Sequence, residues 1–164
     1  MNHAVVKSLV LLICLLPSVV FAADIWLFRH GEKAQGSDPE LTPAGHERAQ
    51  RIAAIIQAGR DADAPLWLFS TDYQRTRQTI APLAAMAGAK VTLYNPRQLA
   101  EFAEELRQLQ GTVVVAGHSN TTPALLKLLS GIERQISEDR FDALYHLKTG
   151  ADGVEFEALS SNLR

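Results

Sequence analysis

The sequence predicts an α/β domain of three layers, with helices covering both faces of a mostly parallel central sheet. Three observations carry that expectation. Ile25-Trp26-Leu27-Phe28, Leu66-Trp67-Leu68-Phe69 and Thr112-Val113-Val114-Val115-Ala116 are continuous apolar runs of strand length, as strands buried on both faces require. Segments of helical period lie between them. Alternation of the two calls for right-handed crossovers, which lay helices over the sheet. The 164 residues suit one domain, and 47% apolar with 21% charged composition can furnish one core.

Residues 1–22 stand apart from that core. Lys7 gives a positive start, Leu9 to Leu16 an apolar stretch, and Val20-Phe21-Ala22 a small-residue cleavage site, the pattern of a signal peptide removed after Ala22. The stretch is short for a bilayer span, so no stable membrane insertion is expected after cleavage, and an uncleaved anchor is the alternative. The mature domain would be residues 23–164, in the periplasm or secreted. Cys14, the only cysteine, would leave with the leader. So would Lys7, with no acidic residue, moving the formal charge from −2 to −3. That balance disfavours nucleic acid or an anionic membrane as partner and leaves anion binding to a local basic cluster.

After the first strand, Pro43 to Ala58 reads as a helix capped by Thr42, with Pro43 at its first position and Gly45, Ala49, Ile52, Ala53 and Ile56 on one face. The second strand is followed by a helix over Tyr73 to Ala87, then by a weaker strand over Lys90 to Tyr94. Arg97 to Gln110 repeats the helical pattern through Leu99, Phe102, Ala103, Leu106 and Leu109, with Gly111 as its stop. The strand at Thr112 leads to a helix over Thr122 to Leu129. Ala143 to Leu147 and Val154 to Leu159 flank a Gly150-Ala151-Asp152-Gly153 turn and read as a hairpin extending the sheet. Trp26 and Trp67, in strand patterns, are expected in the core.

Functional groups of open α/β sheets gather beyond the carboxyl ends of the strands. There the sequence places Arg29-His30-Gly31-Glu32, Ser70-Thr71-Asp72-Tyr73-Gln74-Arg75 and Gly117-His118-Ser119-Asn120. One such strand end would be unremarkable solvated chain; three carrying two histidines and two arginines point to one site. Guanidinium forks bind two oxygens of a phosphoryl group at once, a role for Arg29 and Arg75. A neutral imidazole can attack phosphorus, and His30 is the expected nucleophile, with His118 a donor to the developing charge. Gly31 and Gly117 would let the backbone approach the bound group. Glu32 is expected either to touch substrate or to orient a pocket arginine. Asn120 either caps the next helix or touches substrate. Arg97 reads as a surface helix start, His46 as solvated and His146 as structural. No metal and no cofactor is expected, because no carboxylate or thiol stands at ligand spacing near these residues.

Taken together, Arg29-His30-Gly31-Glu32, Leu41-Thr42-Pro43-Ala44-Gly45, Arg75-Thr76-Arg77-Gln78-Thr79 and Gly117-His118-Ser119-Asn120, in that order, resemble the histidine phosphatase superfamily, with its phosphoglycerate mutase-like fold. The resemblance implies that His30 is phosphorylated and that Arg29, Arg75 and His118 complete its phosphate pocket. Only 42 residues separate Arg75 from His118, too few for the insertion that covers the site in the mutases, so hydrolysis is expected over mutase transfer. The family's usual proton donors have no clear counterpart: Tyr94-Asn95-Pro96-Arg97, Glu101, Glu104, Ser119 and Glu32 occupy the corresponding neighbourhoods. The expected substrate is a small sugar or lipopolysaccharide phosphate. A protein phosphohistidine or a non-catalytic phosphate-binding role are the rivals.

Overall fold

The structure, a computed structural model, describes residues 22–162. Ten elements follow one another: β1 (Ala23–Arg29), α1 (Pro43–Gly59), β2 (Leu66–Ser70), α2 (Gln74–Ala87), β3 (Val91–Leu93), α3 (Leu99–Arg107), β4 (Gly111–Gly117), α4 (Thr121–Ser130), β5 (Ala143–Gly150) and β6 (Gly153–Ser160). The leader assigned to residues 1–22 lies, apart from Ala22, outside the described residues. No described helix is long and apolar enough to cross a membrane.

The strands form one sheet in the order β3-β2-β4-β1-β5-β6. β3, β2, β4 and β1 are parallel neighbours, whereas β5 runs antiparallel to β1 and β6 antiparallel to β5. The sheet is therefore mixed, with the parallel arrangement confined to its first four strands. The antiparallel pairing of β6 with β5 follows from chain length, because the two-residue turn between Gly150 and Gly153 can only return a strand beside its predecessor.

Each apolar run divides by alternate residues between two cores. Ile25, Leu27, Val113 and Val115 face α3 and α4, where Phe102, Leu106, Leu125 and Leu126 pack. Trp26, Phe28, Leu68 and Val114 face α1 and α2, against Ile52, Ile56, Ile80 and Leu83. Helices on both sides complete the three layers, which is why the central strands tolerate no polar face. Trp67 departs from expectation: it is 42% exposed, and its Nε1 donates to Gln110 O (3.0 Å) at the α3–β4 turn. An amphipathic ring can occupy such a half-covered place, so an apolar run alone did not fix its burial. Trp26 is buried, stacked on His146 at 3.8 Å between ring centroids, and both meet the Asp24 carboxylate.

Register places the site. Arg29 stands opposite Gly117, and Ser70 opposite Ala116, so β1, β4 and β2 end almost level. The ladder continues one step further, from His30 N to Gly117 O (3.0 Å). Residues 30, 71 and 118 consequently leave the sheet side by side.

Candidate functional site

The loop from β1 into α1 is set by two glycines. A Cβ on Gly31 would lie 2.8 Å from Gly45 O, and one on Gly45 would lie 2.1 Å from Glu32 O. The first turn of α1 thus presses directly on the backbone that carries His30. Thr42 caps that helix, its Oγ1 accepting from Gly45 N (3.2 Å), and Thr42 N in turn donates to Glu32 O (2.8 Å). Gly31 N donates to Thr79 Oγ1 on α2 (3.0 Å). The space around Gly31 and Gly117 is taken by the protein itself: a Cβ on Gly117 would meet the hydroxyls of Thr121, Thr122 and Tyr94. Their expected role of admitting a ligand gives way to admitting neighbouring elements.

His30 is 3% exposed. Its Nδ1 lies 2.7 Å from Gly31 O, a group that can only accept, so Nδ1 carries the proton and Nε2 keeps its lone pair. Burial, with Arg29, Arg75 and His118 nearby, pushes its pKa down to about 3 against the pull of the Gly31 bond. The ring is consequently neutral near pH 7. The His118 ring lies 5.5 Å away at 67°. Burial and the same two arginines push the His118 pKa down to about 4.

His118 Nε2 is 2.9 Å from Thr71 Oγ1, which is 2.8 Å from Thr76 Oγ1. The Thr76 hydroxyl has carbonyls of Thr71 (3.0 Å) and Tyr73 (2.9 Å) to donate to. The Thr71 hydroxyl can then give its proton to His118 Nε2, which leaves Nδ1–H as the donor the ring can offer an anion.

Arg29 is 1% exposed and gripped from behind. Its Nη1 donates to the carbonyls of Ser137 (2.9 Å), Glu138 (3.1 Å) and Arg140 (2.9 Å), and its Cζ stands 4.2 Å over the Phe141 ring. Arg75 opens α2, 4.4 Å over the Tyr73 ring and 3.8 Å from an Asp38 oxygen. Asp38 also accepts from Gln74 N (2.9 Å), doing for α2 what its own N-cap residue Tyr73 does not. Arg29 Nε and Arg75 Nε are buried with no hydrogen-bond partner among the described residues. Unpaired buried guanidinium donors are costly unless an anion meets them. Tyr73 and Asn120, the N-cap residues of α2 and α4, line one cleft, so both helix N-termini bring partial positive charge to it.

These groups border a cleft of about 460 Å3, large enough for more than a phosphoryl group. Of the predicted residues, His30, Arg75, His118 and Asn120 line it, whereas Arg29, next to His30 in the chain, does not. Asn120 stands at the N-cap of α4 but makes no side-chain capping bond. Glu32 is elsewhere: its carboxylate grips Arg48 through Nε (2.9 Å) and Nη2 (2.6 Å), which holds its pKa below the usual carboxylate range. Arg48 is buried in α1 and does not line the cleft, so Glu32 fixes the loop and orients no pocket arginine. Arg97, read from sequence as surface, does line the cleft. Lys33, Tyr73 and Glu138 line it too and were not singled out; Ser119, considered only as a stand-in acid, borders it beside Glu138. Arg97, Lys33 and Tyr73 all follow strand ends, a signal that could have found them, whereas Glu138 sits in an aperiodic segment that offered none. Among the described residues no three His, Cys, Asp or Glu side chains are grouped to hold a metal ion.

Residues 25–103, which include Arg29, His30 and Arg75, match the family model described as the histidine phosphatase superfamily, branch 1. No curated protein sequence matches the chain. Solved structures share its fold. A phosphoserine phosphatase variant from Entamoeba histolytica, in complex with phosphoserine, aligns with a TM-score of 0.63 at 16% identity, over 85% of this chain and 98% of its own. A mycobacterial glucosyl-3-phosphoglycerate phosphatase aligns with a TM-score of 0.64 at 14% identity, over 87% of this chain and 100% of its own. The protein histidine phosphatase SixA, complexed with tungstate, aligns with a TM-score of 0.66 at 15% identity, over 84% of this chain and 97% of its own. The match to the histidine phosphatase superfamily thus spans residues 25–103, just under half of the chain, and the solved structures show a shared fold.

Proposed function

We propose that the protein is a metal-independent phosphomonoester hydrolase in which His30 carries the phosphoryl group between substrate and water. The reading rests on His30 itself: Nδ1 is tied to Gly31 O, the ring is held neutral, and Arg29, Arg75 and His118 surround it. In the first step Nε2 attacks phosphorus in line, the Nε2–P bond forms, and the bond to the ester oxygen breaks. Arg29 Nε and Arg75 Nε take the equatorial oxygens, and His118 meets the charge that develops. Water then attacks phospho-His30, releasing inorganic phosphate and restoring Nε2. Positioning and fixed positive charge supply the catalysis.

The substrate we propose is a small phosphorylated molecule, a sugar or lipopolysaccharide phosphate, met in the periplasm or outside the cell. Its support is the leader-like residues 1–22 together with a cleft of ligand size. A phosphohistidine on a protein fits an exported chain less well, since phosphorelay partners are mostly cytosolic.

Rapid-quench labelling with a radioactive phosphate ester tests the mechanism. Wild type should accumulate an acid-labile, base-stable phosphoprotein whose label maps to His30, and folded His30→Ala should neither label nor turn over. Full activity in His30→Ala would overturn the reading. A panel of sugar, nucleotide and lipopolysaccharide phosphates and phosphoproteins, compared by kcat/KM, tests the substrate class.

A further inference from the structure

We propose that Glu138 is the proton donor to the leaving oxygen, an assignment that rests on the phosphatase reading above. The carboxylates expected from sequence do not reach the place. Glu32 is held by Arg48, Glu104 pairs with Arg107, and Glu101 borders a separate groove with Asn95 and Phe102. Glu138 is the one carboxylate among the described residues lining the cleft.

In-line attack fixes where the acid must be. His30, 3% exposed, forms the floor, so the bond that breaks points away from it toward the mouth. The Glu138 side chain is at the mouth, 82% exposed. Its Oε1 accepts from Ser119 Oγ, and its Oε2 lies 3.5 Å from Arg29 Nη2. The segment that carries it is anchored by the carbonyls of Ser137, Glu138 and Arg140 on Arg29 Nη1. One arginine therefore reaches toward the phosphoryl site and holds the backbone bearing the acid.

In the free protein Ser119 first, then Arg29, His30 and Lys33, hold the Glu138 carboxyl below its usual pKa. A bound phosphate ester changes its surroundings. The ester takes donors from Arg29, and its own negative charge faces the carboxylate, so the two groups share one proton as close like charges do. The ester's second ionisation, near pH 6, makes that proton available around neutrality. As Nε2–P forms and P–O breaks, the proton on Glu138 passes to the ester oxygen, which leaves as an alcohol. The resulting carboxylate then takes a proton from the water that attacks phospho-His30, and Glu138 ends protonated beside inorganic phosphate.

The test compares Glu138→Gln and Glu138→Asp with wild type on phosphate monoesters running from nitrophenyl through phenyl to glyceryl. Glu138→Gln should lose about 10²–10³-fold in kcat/KM on glyceryl phosphate and stay within about threefold on nitrophenyl phosphate, whose leaving group needs little protonation. The basic limb of the glyceryl phosphate pH profile should disappear, and Glu138→Asp should restore part of the rate. Equal losses on all esters, or none on any, would overturn the assignment while leaving the phosphatase reading intact. Absence of turnover and of His30 labelling in wild type on every ester would overturn both.

Discussion

Replacing Gly45 with alanine tests whether α1 sets the loop that carries His30, the proposed nucleophile. In an exposed helix this change gains about 1 kcal/mol. Here the new Cβ would sit 2.1 Å from Glu32 O, 3.0 Å from Glu32 N and 3.1 Å from Glu32 C. All three are backbone atoms, and the first distance is far inside the ~3.5 Å of an ordinary contact. The loop has to retreat, yet Glu32 O is tied to Thr42 N (2.8 Å) and the Glu32 carboxylate to Arg48. Overpacking costs about 1–3 kcal/mol and one or two lost hydrogen bonds about 1 kcal/mol each, so the sum is a destabilisation of about 2–5 kcal/mol. At about 4 °C per kcal/mol for a domain of this size, thermal unfolding followed by circular dichroism should shift down by roughly 8–20 °C. The displaced loop includes Gly31, whose carbonyl holds His30 Nδ1 at 2.7 Å. A shift of about 1 Å there should cost about 10²-fold in the phosphoryl-transfer rate. A Tm at or above that of wild type, with turnover unchanged, would refute the reasoning.

Acid should weaken the fold earlier than carboxylates alone would explain. His30 and His118 have native pKa values pushed down to about 3 and about 4, and both return to about 6.5 on unfolding. Above pH 6.5 neither state binds these protons; below it the unfolded chain takes them up and the native chain refuses them. Stability should therefore fall as pH drops from about 6.5 toward 4, by up to about 1.4 kcal/mol per pH unit for each histidine. Urea midpoints from pH 7 to 4 read this, His118→Asn should remove about half the slope, and a flat midpoint down to pH 5 would refute it. Turnover should also survive dialysis against EDTA, because Arg29 and Arg75 supply the positive charge a metal would, with neutral His118 as a hydrogen-bond donor. Inhibition by EDTA that a divalent cation reverses would refute that expectation.

The floor of the cleft was legible in the sequence because strand ends are. A run such as Ile25 to Phe28 marks where a buried strand stops, and Arg29 and His30 are the next residues; the same holds for His118 after β4. The helices were legible to within three residues because residues such as Thr42 and Gly111 punctuate them. What failed depended on contacts between segments distant in sequence. Glu32 looked like a pocket residue, yet Arg48 of α1 holds its carboxylate, and Trp67 looked buried, yet it is 42% exposed. Glu138 lies between α4 and β5, where no period marks a direction, and only the grip of Arg29 on residues 137–140 brings it to the mouth.

That grip also explains why the fold tolerates a buried arginine at the end of β1. Taking a guanidinium out of water costs several kcal/mol unless its donors are met. Three backbone carbonyls and the Phe141 ring meet one side of Arg29, and they do so without contributing a full negative charge. The positive charge is thus held in place but not neutralised, since the carboxylate paired with it, Glu138, is mostly in water and 3.5 Å away. Arg75 repeats the arrangement, stacked on Tyr73 with Asp38 at 3.8 Å. Neighbouring histidines kept neutral avoid adding a repulsion the fold would have to bear. On the proposed function, a tetrahedral anion entering the cleft would supply the charge that the protein withholds, so binding affinity and the electrostatic part of catalysis would come from the same unmet donors.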